Sequence, residues 1–450
     1  MNQNTLFEKT SPTRLFFHFA IPGMISMAVS SLYTIADGIF VGRFLGQQSL
    51  AAVNLVMPLI MICFGLSDMV AVGSSVQISI QLGRKKYNEA RQTFSSCLKI
   101  IALSSCFIGV LCFFLAEPAF GLLGAEPDVA KLAEEYLRIY AVFLPLIAGF
   151  FAIDNYLRIC GKPRYSMVIN IVTAVLNILL DFLFVAVLRY GVRSAALASC
   201  ISLVLGMVLG MIPFLGHKLP LCFVKGNIPL RQFMHLLANG SSELFSSISS
   251  SLLMLILNTV LLHLEGSMAV AACSVVLYMD NLVNSLVYGL ADSMQPAISY
   301  CYGRNLPKRV QALERHVLSA AAILSIGALA LMRLGGGGLV ALFVQQDDTA
   351  LLEMSLHAMK LFSLSYLVSW VDACCGSYLT ALDRPGRSLT VSLCGTLIFP
   401  LVSLSILAPI RGLDGVWRMP LAAGFAGAVV SIIAVLSIKR SGKPRNENKK

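Results

Sequence analysis

The sequence predicts an all-α integral membrane protein, with twelve transmembrane helices arranged as two pseudo-symmetric six-helix bundles around a central cavity. Three observations predict it. Hydrophobic residues make up 57% of the 450 residues and charged residues only 13%, with a mean hydropathy of +0.79; a soluble domain carries roughly twice that charge. Twelve apolar stretches reach the ~18 to 20 residues that a helix needs to cross a bilayer. The chain also repeats itself at a spacing of about 220 residues. Gly46, Ala51, Ala52 and Val56 return as Gly266, Ala271, Ala272 and Val276, and Ser26, Ser30 and Ser31 return as Ser246, Ser250 and Ser251. Ser79-x3-Gly83-Arg84 returns as Ser299-x3-Gly303-Arg304, and Asp128 as Asp348. Six segments per copy is an even number, so both copies begin on the same membrane side and the repeats are parallel, a body plan of secondary transporters.

The elements follow in order. Residues 14–42 follow a polar leader directly, unlike a cleaved signal peptide, and contain Pro22, which removes one backbone hydrogen bond and bends the helix. Segments 50–81 and 93–115 flank the basic turn Gly83-Arg84-Lys85-Lys86. Segment 135–158 carries Pro145, and the Gly161-Lys162-Pro163 turn leads into 165–188 and 192–215. The first lobe is therefore 1–218, with 219–230 as a cytoplasmic linker containing Pro220 and Lys225. The second lobe, 231–438, holds 231–262, 269–301, 312–333, 352–380, 386–410 and 413–438, and 439–450 is a basic tail.

The net charge of +11 is unevenly placed. Most of the Lys and Arg fall in the N-terminal segment, the tail and the turns holding Arg84, Lys85, Lys86, Arg158, Lys162, Arg304 and Lys308, whereas the opposite connections gather Glu117, Glu126, Asp128, Glu134 and Asp347. This asymmetry places both termini in the cytoplasm, and the location expected is a bacterial-type plasma membrane. It makes the tail a topology anchor against anionic lipid and gives no reason to expect a nucleic-acid partner. The twelve cysteines include no CxxC pair and no Cys/His zinc spacing, so neither a metal centre nor a cofactor is expected. The six His are scattered and no phosphate-binding GxxxxGK[ST] loop occurs, which argues against an enzyme.

Chemistry is expected where polar groups enter apolar helices, because an acid at mid-membrane costs about 2.5–3.5 kcal/mol and is retained for function by default. Asp37 stands in the outer part of the first helix; Asn177 and Asp181 lie four apart on one face of the fifth. Asp154 and Asn155 lie near the inner end of the fourth, and Ser199 and Ser202 on the sixth add oxygens. Such groups suit a proton or Na+. In the second half Asp280, Asn284, Tyr288 and Asp292 recur every four residues, Glu243 follows Ser241 and Ser242, and Asp372 follows Trp370. Acids interleaved with aromatics attract organic cations.

Ile21-Pro22 followed by Ala36-Asp37-Gly38-Ile39-Phe40-Val41-Gly42-Arg43, the run Gln295-Pro296-Ala297-Ile298-Ser299-Tyr300-x-Tyr302-Gly303, and the Gly161-Lys162-Pro163 and Asp383-Arg384-Pro385 turns resemble a multidrug and toxic compound extrusion (MATE) transporter of the MOP superfamily, in its DinF-like and MepA-like bacterial branch. The resemblance implies H+- or Na+-coupled export of amphipathic, often cationic, drugs through alternating access of two lobes, by a protein that works as a monomer. In the DinF-like branch a first-helix Asp below a bending Pro is linked to protonation; Asp37 and Pro22 match it. Asn177 and Asp181 match the cation pair of the fifth helix, with Ser199 completing the site and Asn155 placed with it; any metal is a Na+ at Asp37, Asn177 and Asp181. In the NorM-like branch second-lobe acids bind the cation; Asp372 matches one, while Glu243 sits too early for the other. Asp280, Asn284, Tyr288, Asp292, Asp372 and Glu243 are then the candidates for the substrate cavity. The alternative is a flippase for a lipid-linked oligosaccharide or cell-wall precursor, a reading that gains if Lys99, Arg138 and Lys360 line the cavity.

Overall fold

In hydrocarbon every backbone N–H and C=O must find its partner within the protein, and helices satisfy this segment by segment. The structure, a computed structural model, describes residues 3–122, 126–216, 219–341 and 349–440, and every regular element among them is helical. Asp347, Asp348 and the tail from 441 lie outside the described residues. The short α1 (Gln3–Lys9) precedes α2 (Pro12–Phe40), whose N-cap Ser11 accepts from the Arg14 N–H and which stays helical through the buried Pro22. Helices α3 (Gln47–Gly83), α4 (Tyr87–Leu122), α5 (Pro127–Ile159), α6 (Pro163–Asp181) and α7 (Val192–Leu215) complete the first six crossings. The second half comprises α8 (Leu230–Ser293), α9 (Gln295–Gly303), α10 (Pro307–Val340), α11 (Thr349–Phe362), α12 (Ser369–Ala381), α13 (Pro385–Leu393), α14 (Phe399–Arg411) and α15 (Leu413–Arg440).

Ten helical runs among the described residues are long and apolar enough to cross a membrane. One of them, Leu230–Gly303, spans 74 residues, well beyond what two crossings need, and breaks at Glu265 and Gly266, where the backbone leaves the helix, so it makes two crossings. The remaining crossing is α11 with α12, interrupted by a 3₁₀ turn at Ser363–Leu367 that leaves neither piece long enough alone. Twelve crossings result, as the sequence predicts.

The repeat is visible in backbone angles as well as in letters. Gly46 (φ 86, ψ 177) and Gly266 (φ 70, ψ −155) turn the chain in the same way at matching positions, in a region that only glycine occupies without strain. The two halves also meet reciprocally: a side chain on Gly83 would strike the Tyr300 carbonyl, and one on Gly303 would strike the Ile80 carbonyl. Such exchanged contacts between counterparts are what a two-fold relation produces. This seam lies at the face bearing the Lys- and Arg-rich turns, called here the basic face. It continues where Gly240 meets the Met69 backbone and Gly289 meets that of Gly23, so the lobes touch backbone to backbone along their basic halves. The linker is an extended belt along α4: Arg91 donates to the Pro220 carbonyl at 2.9 Å, and the Val224 N–H donates to Ser95 at 3.0 Å.

Candidate functional site

Near the opposite face of the first lobe, α2, α5, α6 and α7 enclose a buried polar cluster. The four-residue spacings on α6 aim Thr173, Asn177 and Asp181 inward as one row; they are 4%, 1% and 0% exposed. Asp37 on α2 is 6% exposed, and its carboxyl lies close to that of Asp181. The Asn177 amide donates to the Ser199 hydroxyl at 3.1 Å, and Tyr140 lies nearby. Tyr33 and Tyr136 complete the surroundings of Asp37. Asp37 and Arg43 form no ion pair, and Arg43 is exposed.

What distinguishes this cluster is its unmet demand. Asp37 Oδ1, both carboxylate oxygens of Asp181, Asn177 Oδ1, Thr173 Oγ1 and Tyr136 Oη are buried without a hydrogen-bond partner. Buried polar atoms are ordinarily satisfied, and two adjacent carboxyls cannot both stay charged in a low-dielectric interior without a cation or a shared proton. An all-oxygen set of acceptors fits either. Two π-helical turns frame the cluster, Val41–Leu45 just beyond Asp37 and Phe182–Val187 immediately after Asp181, and they touch each other; such turns recur at functional sites.

Asn155 does not join the cluster. It lies one turn from the basic end of α5, about 20 Å by helix rise from the level of Asp181, and its amide donates to the Phe151 carbonyl at 3.2 Å. Beside it Asp154 is fully engaged, accepting from Arg158, from Ser166 (2.5 Å) and from Asn170 (2.8 Å), and so clasps α5 to α6.

The second-lobe candidates fall into three places. Asp280 accepts from Asn284 (2.9 Å) and from the Tyr366 hydroxyl (3.1 Å), which makes the pair an internal brace of the lobe. Asp372 accepts from Ser431 on α15 (2.7 Å), in a slot cleared by Gly395 and Gly427. Tyr288, 40% exposed, and Asp292, which accepts from Gln295 at 2.8 Å, face the cleft between the lobes. Glu243 and Asp292 lie within electrostatic range of each other and of Asp68 on α3. Sequence reasoning passed over Asp68. Its signal was an acid in the middle of the second apolar segment, and its importance appears only when α3 packs against α8 across the seam.

Comparison with known proteins agrees with this architecture. The MatE family model matches the chain twice, at residues 22–183 and 244–404, once in each half. The chain belongs to the MatE family. Among its MATE relatives, the multidrug export protein MepA of Staphylococcus aureus (strain N315) is 27% identical, over 96% of this chain and 95% of its own. A MATE protein crystallised in complex with MaL6 superposes with a TM-score of 0.92 at 22% identity, covering 98% of both chains. A MOP superfamily transporter from Pyrococcus furiosus gives 0.91 at 22% identity over 99% of both. The fold is thus the two-lobed MATE fold of a multi-pass membrane protein.

Proposed function

We propose that this MATE protein exports amphipathic organic compounds, cations foremost, from the cytoplasm by antiport against H+ or Na+, with its two lobes opening alternately to either side. The observation that carries the reading is the Asp37–Asp181 pair, set among orphaned oxygens. A site that holds a cation in one state and releases it when water enters can couple ion flow to drug flow. The family and the export role of MepA support the transport step. The basic face is the cytoplasmic one by charge asymmetry. Asp68, Glu243 and Asp292, together with Tyr288, give the cleft the character that an organic cation prefers over water. A flippase would need cationic groups there. Lys99 is exposed on α4, which packs on its own lobe; Arg138 is held by Glu134 at 2.7 Å; and Lys360 is exposed on α11.

The test is efflux of a fluorescent organic cation from proteoliposomes, driven in turn by a pH gradient and by a sodium gradient. One gradient is expected to drive it, and Asp37→Asn is expected to abolish the coupled ion flux while the protein remains folded. Undiminished antiport in that variant would overturn the assignment of the first-lobe site.

A further inference from the structure

The N-terminal helix α1 opens the first half of the chain, yet it binds mainly to the second lobe. Phe7, 1% exposed, stacks on Tyr300 with ring centroids 4.8 Å apart and lies 5.6 Å from Phe19. Glu8 accepts from the Tyr300 hydroxyl at 3.2 Å and from Arg304 Nε at 3.0 Å. Arg309 donates to the Thr10 carbonyl at 2.5 Å, and His316 on α10 hydrogen-bonds to Thr13 at 3.0 Å. On its other side Leu6 presses against Gly161, in the left-handed turn between α5 and α6 of the first lobe. The segment therefore touches both lobes at the basic mouth of the seam, beside the reciprocal Gly83–Gly303 contact.

Its pseudo-symmetric counterpart is the linker. Residues 220–226 precede the second lobe and lie on α4 of the first, as residues 6–10 precede the first lobe and lie on α9 and α10 of the second. Each lobe is strapped by the segment that introduces the other.

We infer that α1 is a releasable clasp: it holds the cytoplasmic mouth shut while docked and must leave the Tyr300–Arg304 surface for the lobes to part there. The surfaces it joins, the Gly161 turn and the Tyr300 turn, belong to different lobes, so no separation of the lobes at that face keeps both contacts. The inference rests on the alternating-access reading. The spin-label distance below is nevertheless measured without substrate, ion gradient or transport, so its outcome is separate from the fate of that reading.

Nitroxide labels are placed at Lys162→Cys and Lys308→Cys, exposed positions in the two lobes at this face, in a full-length parent whose native cysteines are replaced by alanine or serine. With Phe7→Ala, pulsed electron–electron resonance is expected to show a growing population at longer separation. A distribution identical to that of the parent would overturn the clasp. Should Phe7→Ala fail to fold, Glu8→Ala removes only the acceptor of Tyr300 and Arg304 and is expected to give the same change at smaller amplitude; no change would again overturn it. In proteoliposomes, joining Glu8→Cys to Arg304→Cys with a short cleavable thiol reagent is expected to stop efflux until the link is reduced. Efflux at the unlinked rate would show that α1 stays docked throughout the cycle, and the proposal would fail.

Discussion

Asp37 and Asp280 are both carboxyls within apolar helices, and their surroundings give them opposite work. Asp280 has its acceptors filled by Asn284 and by Tyr366, whose ring is 1% exposed. Asp280→Ala leaves that buried hydroxyl without a partner and is expected to lower stability by about 1–3 kcal/mol, measured as thermal unfolding in detergent. Asp37→Asn keeps the shape and removes an unmet charge; it is expected to leave the unfolding temperature unchanged or to raise it, even where coupling is lost. A destabilisation by Asp37→Asn as large as that by Asp280→Ala would mean that Asp37 is structural. The sequence presents Asp280, Asn284, Tyr288 and Asp292 as one stripe, but four residues turn a helix by about 400°, so the stripe drifts. Its first two members end up braced inside the lobe and its last two at the cleft. The first-lobe trio was legible because Asn177 and Asp181 share one face of one helix. Asn155 was misplaced because a sequence records helix faces better than depth in the membrane.

Among the elements, the turns and breaks carry the information that hydropathy could not. Twelve crossings were legible because each apolar run nears the bilayer thickness. The 3₁₀ break at Ser363–Leu367 and the π turns after Asp37 and Asp181 were not, since Ser363-Leu364-Ser365-Tyr366-Leu367 and Phe182-Leu183-Phe184-Val185 read as ordinary membrane helix. The turn glycines were legible through their repetition at Gly46 and Gly266. Space for a methyl group exists at both, so the cost of filling them is conformational alone. Gly266→Ala is therefore expected to destabilise the protein by about 1–3 kcal/mol, as is Gly46→Ala, each seen as a lowered unfolding temperature. Gly338→Ala, within a helix and likewise open around its Cα, is expected to be neutral or stabilising. Equal effects at all three would show that the left-handed turns bear no strain.

In the whole molecule, a two-fold scaffold carries a one-sided charge pattern. The contact of Gly83 with Tyr300 and of Gly303 with Ile80 obeys the two-fold relation, but the acids beside it do not. At a spacing of 220, Asp68 stands opposite Tyr288, Glu243 opposite Gly23 and Asp292 opposite Val72. Gly23 packs tightly against Gly289 and Ser293, so the first lobe closes its side of the seam with backbone, whereas the second places Glu243 at the matching position. Duplication made the scaffold legible in the sequence. The cleft acids were only half legible, because Asp68 gains its meaning from a partner helix about 175 residues away in the chain. If these three carboxyls receive organic cations, each of Asp68→Asn, Glu243→Gln and Asp292→Asn removes attraction from a partly solvated site. Each is expected to cost up to about 1 kcal/mol, roughly five-fold in KM, for a monovalent cationic drug, with little change for a neutral drug of similar size. Pairs of substitutions should cost more than either alone, because one substrate charge feels all three groups at once. Equal losses for charged and neutral drugs would assign the acids to the packing of the seam, and the selectivity of the cleft would then have to come from its shape.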